Sequence, residues 1–278
     1  MRRKSALPIF FIAFSFPLIA MGCGPDDIAQ DDTPIDDSGE VGTLSVIADG
    51  ESRLRDGFQS KDGWDLSFNH AYVTFNNIEA HQTDPPFDAN SDDDLEATTS
   101  AMLLESPETV DLVGDDDTPT VTSGEAPAGM YNALYWELVT AESGDAEGST
   151  LYLEGTAEKD GRTVDFVISL DKPVAHTCGE YVGDERKGML EAGGEAELDT
   201  TFHFDHFFGR DDRGMDESPN SEAFGFEPFL EYADGDSINV TSEQLREDLD
   251  DELYDTLVYS VTELGHVGEG HCRITDLY

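Results

Sequence analysis

The sequence predicts a mainly β protein: an antiparallel β-sandwich with long acidic loops and a C-terminal helical segment. Three observations carry that reading. Apolar and polar residues alternate with period two, as in Trp64, Leu66 and Phe68 against Asp65, Ser67 and Asn69. Two such runs flank Lys159-Asp160-Gly161-Arg162, whose Asp-Gly pair suits a tight hairpin turn. Near the C-terminus the pattern changes to leucines at helical spacing behind Thr241-Ser242-Glu243-Gln244, which has the form of a capping box.

Taken in order, the chain opens on a leader. Arg2, Arg3 and Lys4 precede an apolar stretch from Pro8 to Met21, closed by Leu18-Ile19-Ala20-Met21-Gly22-Cys23. This is the grammar of a bacterial secretory signal over residues 1–22, and the run is too short to span a bilayer comfortably. Cys23 after Gly22 resembles the lipobox of bacterial lipoproteins, with Ala20 where leucine is usual. The resemblance implies diacylation of the Cys23 thiol, and two acyl chains supply the two signals that stable anchoring needs. Gly24 is not the aspartate of inner-membrane retention in enteric bacteria, so the expected location is the cell envelope. There the lipid would hold the protein to the outer membrane, facing the periplasm or the cell surface. Residues 23–41 then read as the lipidated cysteine and a flexible acidic tether.

The folded domain is expected over residues 42–278, starting at Gly42-Thr43-Leu44-Ser45-Val46-Ile47. Trp64 to Asn69 alternates, and Ala71 to Phe75 is apolar on both faces, as in a buried central strand. Ala133 to Val139, Leu151 to Glu158 and Thr163 to Leu170 are further strands. Glu197 to Phe208 reads as another, with Leu198, Thr200, Phe202 and Phe204 on one face. Asp84–Ser100, Gly114–Pro127 and Gly179–Gly194 read as acidic loops. From 241 to 264 one helix or two shorter ones should present Leu245, Leu249, Leu253 and Leu257 as a core-facing stripe.

Four short segments follow in order: Gly42-Thr43-Leu44-Ser45-Val46, Ala71 to His81, Val110-Asp111-Leu112, and Ala126-Pro127-Ala128-Gly129-Met130-Tyr131. Together they resemble a family of bacterial lipoprotein domains of unknown function with a transthyretin-like β-sandwich. The resemblance covers residues 42 to about 140 and implies a sandwich and an envelope location; it brings no catalytic residues. The C-terminal half carries no such likeness.

Charge narrows the function. The formal net charge is −47, and losing Arg2, Arg3 and Lys4 with the leader takes it to −50. Nucleic acid, which is bound by neutralising phosphates with Lys and Arg, is excluded as a partner. Self-repulsion on this scale opposes a compact state. Concentrated salt relieves it by shortening the Debye length to about 3 Å at 1 M. The acidic excess is spread along the mature chain, so it reads as adaptation to a saline habitat. With Cys23 lipidated, Cys178 and Cys272 remain in an oxidising compartment and are expected to form a disulfide. Its loop of roughly 95 residues corresponds to about 4 kcal/mol in the chain-entropy model.

Phe202-His203-Phe204-Asp205-His206-Phe207-Phe208-Gly209 is the sharpest motif. On a strand, His203 and Asp205 would share a face, and His206 would join them if the strand ends or bulges there. Imidazole with carboxylate suits zinc, copper(II), nickel or ferrous iron. A disulfide would also bring His176 and His271 together, with His266 on the same glycine-rich segment, so five of the seven histidines would gather in the C-terminal half. The metal-ligand candidates are therefore His203, Asp205, His206, His266 and His271. His70 and His81 read as satisfied core or edge histidines. Asp88 to Asp94 has the early oxygen spacing of a calcium loop, but Asp93 stands where the EF-hand glycine belongs and Thr99 where its glutamate does. Calcium is thus a weaker alternative, at a looser surface site.

Enzyme signatures are poor. Gly235-Asp236-Ser237-Ile238 is similar to the nucleophile block of one esterase class, but it lies late in the chain and no Asp-x-x-His follows. Neither a nucleophile elbow nor a phosphate or dinucleotide loop is present. The expectation is a non-enzymatic, lipid-anchored envelope protein binding a divalent transition metal, with a metal transporter or an outer-membrane receptor as partner. The alternatives are a structural or protein-interaction sandwich without a metal site and, third, a carbohydrate-binding sandwich using Trp64, Trp136 or nearby tyrosines.

Overall fold

The computed structural model describes residues 40–114, 117–179, 188–267 and 272–277. Its first half contains β1 (Val41–Asp49), α1 (Glu51–Asp56), β2 (Phe58–Gln59), β3 (Asp65–Thr83), β4 (Ala97–Leu104), β5 (Glu108–Asp111), β6 (Thr120–Pro127), β7 (Gly129–Met130) and β8 (Ala133–Leu138). Then come β9 (Leu151–Lys159), β10 (Arg162–Leu170), β11 (Val174–Gly179), β12 (Met189–Leu190), β13 (Glu195–Phe202) and α2 (Phe204–Phe208). A 3-10 helix (Glu227–Tyr232) leads to β14 (Ala233–Asp234), β15 (Ser237–Thr241), α3 (Ser242–Asp248), α4 (Asp251–Thr262), β16 (Gly265–Val267) and β17 (Cys272–Asp276). The expected leader, the expected lipidated Cys23 and the expected tether up to residue 39 lie outside the described residues.

The protein is mainly β, with two packed sheets and a two-stranded ribbon of β7 and β12. The small sheet has the order β16-β13-β1-β6; the long one runs β14-β15-β10-β9-β3-β8-β11-β17, with β2, β4 and β5 also paired to β3. Antiparallel pairing dominates, but β1–β13 and β10–β15 are parallel, so both sheets are mixed. β3 joins what the sequence reads as separate strands. Its register shifts after Phe68 and after Asn76, so it bends while serving β9 with its first part and β8 with its second. Alternation in β1 buries Leu44, Val46 and Ala48 against the long sheet. Phe202 of β13 meets Phe75 of β3 edge to face at 5.8 Å.

The β9–β10 hairpin forms where Asp-Gly places it. Lys159 pairs with Arg162, and Asp160 (φ 53°) and Gly161 (φ 81°) both take the left-handed conformation of a tight I′ turn. The capping box also forms: Thr241 N donates to Gln244 Oε1 at 3.0 Å, and the Thr241 hydroxyl accepts from Gln244 N. Leu245 and Leu257 are fully buried, with Leu249 and Leu253 packed beside them. All three expected loops contain strand residues: β4 begins in the first, β6 lies in the second and β12 in the third. β6 buries only Val121 and Ala126, and β4 only Ala101, so neither leaves an apolar signature in the sequence.

Candidate metal centre

Sheet register builds the site at one end of the small sheet. In the parallel pair β1–β13, Asp49 stands opposite Thr201. Two residues further along each chain are Glu51 and His203, and His203 Nδ1 lies 3.0 Å from Glu51 Oε2. On the other side of β13, antiparallel β16 sets His266 opposite Thr201. The His203 amide donates to Leu264 O at 3.0 Å, tying the end of β13 to the start of β16.

The strand expected to run through Phe208 stops at Phe202, and the chain winds into α2. Phe204, Phe207 and Phe208 are all buried. A one-faced strand cannot bury two consecutive phenylalanines, whereas a helix does so with the spacing i, i+3, i+4. His203 becomes the residue before the helix, and the His206 amide donates to His203 O at 2.9 Å. His206 therefore joins His203 through one helical turn, not through a shared strand face. Gly209 ends the turn at φ 72°, where a Cβ would stand 2.5 Å from Lys61 Cβ.

Three imidazoles result, with ring centroids 5.4 Å (His203–His206), 5.1 Å (His203–His266) and 5.5 Å (His206–His266) apart. Glu51, His203 and Asp205 offer three ligand atoms within 4.8 Å of one another, a group that could hold a metal ion. Tetrahedral ligands about 2.0–2.1 Å from zinc stand roughly 3.3 Å apart, so the His203–Glu51 edge already has suitable length. Wider separations must close by side-chain rotation. His206 Nδ1 and His266 Nε2 both donate to the Glu263 carbonyl, at 3.2 and 3.1 Å. An imidazole anchored through one nitrogen on a carbonyl is a recurrent arrangement around bound metals, and it places the lone pair on the other nitrogen. Asp205 is shared: Arg210 Nη1 lies 3.5 Å from its Oδ2, while Arg210 is also bound to Asp212 at 2.8 Å.

The hydrogen bond from His203 holds the Glu51 carboxyl below its ordinary range, against the opposing effect of partial burial. Burial raises the Glu263 carboxyl, and nearby Glu222 adds to the rise while His206 opposes it. A cleft of 160 Å³ lined by His206, Ser218, Pro219, Glu222, Tyr259 and Glu263 adjoins the cluster. Glu51 itself sits at φ 60°, a left-handed conformation that a glutamate adopts at a cost, and strained backbone concentrates at functional sites.

The remaining candidates separate cleanly. His176 is shut in the core, stacked on Trp136 at 4.8 Å, with its Nε2 3.2 Å from Thr262 O. Burial lowers its pKa to about 4 and keeps it neutral, and its stacking on Trp136 in the core makes it a packing residue. His271 lies outside the described residues. Cys178 and Cys272 are bonded, directly opposite one another in the β11–β17 ladder with Cα atoms 4.0 Å apart. His70, on β3 opposite Glu154 of β9, is a partly exposed histidine 2.7 Å from Asp111 Oδ2, and His81 is buried against Ser100 Oγ at 2.8 Å. In the acidic loop at Asp88–Asp94, Arg273 donates to the carbonyls of Ser91 and Asp93. Gly235 (φ 68°) and Asp236 turn the β14–β15 hairpin, which accounts for the esterase-like tetrapeptide. Both tryptophans are buried, so neither offers a face to a sugar.

Sequence reasoning misses Glu51 and the Glu263 carbonyl. Glu51 lies 152 positions from His203 and has no local signature; only the parallel pairing of β1 with β13 brings the two together. No family model matches this chain, and no curated protein or solved structure matches it either.

Proposed function

We propose that this chain is a lipid-anchored protein of the cell envelope that captures or delivers a divalent transition metal. Glu51, His203 and Asp205 are the core donors, and His206 and His266 complete the set. One observation carries the reading: three imidazoles lie with centroids 5.1–5.5 Å apart, and one of them, His203, groups with the carboxylates of Glu51 and Asp205 from distant parts of the chain. Mixed imidazole and carboxylate donors favour zinc, with copper(II), nickel and ferrous iron as the other ions such ligands suit. Imidazoles must be neutral to bind, so affinity falls below about pH 6. The leader over residues 1–22, followed by Cys23, supports the anchor and the export, and the charge of the chain supports a saline medium. A metal transporter or an outer-membrane receptor is the partner that suits such a role.

The test is metal content. Residues 24–278, exported to the periplasm and purified without chelator or affinity tag, are analysed by mass spectrometry and by zinc titration. About one equivalent of transition metal, lost in His203→Ala plus His206→Ala, is the expected result. A protein that retains no metal and takes up none refutes the proposal.

A further inference from the structure

We infer that Asp212 sets the affinity of the metal centre by holding the Arg210 guanidinium away from Asp205. The inference rests on the metal centre proposed above and concerns how one of its core donors is kept available.

Asp205 is the more enclosed of the two carboxylates in the cluster: its side chain is 13% exposed, against 38% for Glu51. A carboxylate so placed has lost most of its water and needs a cation or several donors in return. Among the described residues that carboxylate has one hydrogen-bonding partner, Arg210, whose Nη1 stands 3.5 Å from Oδ2. Charge-assisted N–H···O bonds are about 2.7–2.9 Å long, so this contact is roughly 0.7 Å too long to be a good one. Asp205 is therefore under-compensated, which is the condition of a donor that can take a metal ion.

Arg210 stands off because Asp212 holds it. The Asp212 carboxylate takes the guanidinium fork, accepting from Nε at Oδ1 and from Nη2 at Oδ2, both at 2.8 Å. A planar, bidentate pair fixes the position and the plane of the guanidinium, and only Nη1 is left to turn towards Asp205. The segment that carries both residues is itself pinned. Arg210 N donates to Asn220 Oδ1 at 2.7 Å, and Asn220 Nδ2 donates to the carbonyls of Arg210 and Arg213 at 2.7 and 3.0 Å. Asn220 is fully buried, so the backbone of Arg210 is fixed while its side chain has two carboxylates within reach. With Asp212 in place the guanidinium is committed outside the cluster, and Asp205 keeps its charge for a metal. Without Asp212 the fork closes on Asp205, and a metal must displace a resident cation. Asp212 touches no ion in this scheme; it is a positioning residue with its own side chain 55% exposed.

A double-mutant cycle tests this, with zinc as the probe and chelator competition as the readout. It is run in about 1 M NaCl, where a Debye length of about 3 Å leaves an exposed charge little effect at a distance. Asp212→Asn should bind zinc about tenfold more weakly than wild type, and Arg210→Gln at least as tightly as wild type. The double variant should match Arg210→Gln, because Asp212 acts only through the guanidinium. A loss in Asp212→Asn is thus rescued by removing a second residue, which general loosening of the fold does not produce. Circular dichroism and urea unfolding check each variant. Should Arg210→Gln fail to fold, Arg210→Met, which keeps the apolar stem, takes its place. Unchanged zinc affinity in Asp212→Asn overturns the inference, as does Arg210→Gln binding more weakly than wild type. An equal loss from Asp212→Asn with and without Arg210 also overturns it, being the mark of charge acting through space. In each of these cases the metal centre stands; a wild-type protein that binds no zinc overturns both.

Discussion

At Glu51 the backbone and the carboxylate make separate demands, and two substitutions divide them. An L-residue in the left-handed region costs about 1–2 kcal/mol, a cost that glycine escapes. Glycine in turn adds about 0.5–1 kcal/mol of chain entropy to be lost on folding. The Glu51–His203 pair, with the glutamate side chain 38% exposed, is worth less than about 1 kcal/mol after solvent screening. Glu51→Ala loses the pair and keeps the strain, so the metal-free protein should be destabilised by up to about 1 kcal/mol. Glu51→Gly loses the pair and releases the strain, which leaves stability near that of wild type. The glycine variant should therefore melt about 2 °C above the alanine variant, using roughly 2–4 °C per kcal/mol for a domain of this size. Ordinary helix propensity predicts the opposite order, with alanine ahead by about 1 kcal/mol, so the two accounts differ in sign. Zinc affinity should fall at least tenfold, and equally, in both variants, because both lack the carboxylate. Thermal unfolding of metal-free protein in high salt and chelator competition decide the matter. An alanine variant more stable than the glycine variant would refute the backbone argument; undiminished zinc affinity would remove Glu51 from the site.

Three further outcomes are expected. His176 is buried neutral with a pKa of about 4, so its contribution is fully present above the unfolded value of 6.5 and is lost as pH falls toward 4, a loss of about 3 kcal/mol; NMR titration showing this imidazole protonated at pH 6 would contradict the burial argument. Net charge implies that the unfolding midpoint rises when NaCl is raised from about 0.1 to about 2 M, through screening of self-repulsion; a flat or falling midpoint removes the case for salt adaptation. At Gly155 a Cβ would stand 2.1 Å from the Ser67 carbonyl oxygen and 2.8 Å from Phe166 Cζ, so Gly155→Ala should cost about 3 kcal/mol in urea unfolding, and a wild-type midpoint would show that β3 and β9 can move apart at no cost.

Local features were legible wherever short-range chemistry decides the conformation. Asp160-Gly161 turns because those two residues tolerate positive φ, and Thr241 caps α3 because its hydroxyl reaches an amide three residues on. The end of β13 was readable in principle, since Phe204, Phe207 and Phe208 follow a helical spacing, yet the alternation of Phe202 with Phe204 masks it. β4 and β6 were illegible because edge strands with one or two buried residues differ little in composition from acidic loops.

By itself the sequence determined the β class, the hairpin and capping chemistry and the Cys178–Cys272 pairing, and it nominated His203, Asp205, His206, His266 and His271 as candidate metal ligands. These depend on residue type and on neighbours a few positions away. The tertiary structure alone decided that Glu51 faces His203, that the Glu263 carbonyl anchors two imidazoles, and that His176 belongs to the core. The reason is physical: those contacts come from sheet order and register, which are chosen by the burial of the whole apolar set at once and leave no mark in any short stretch of sequence.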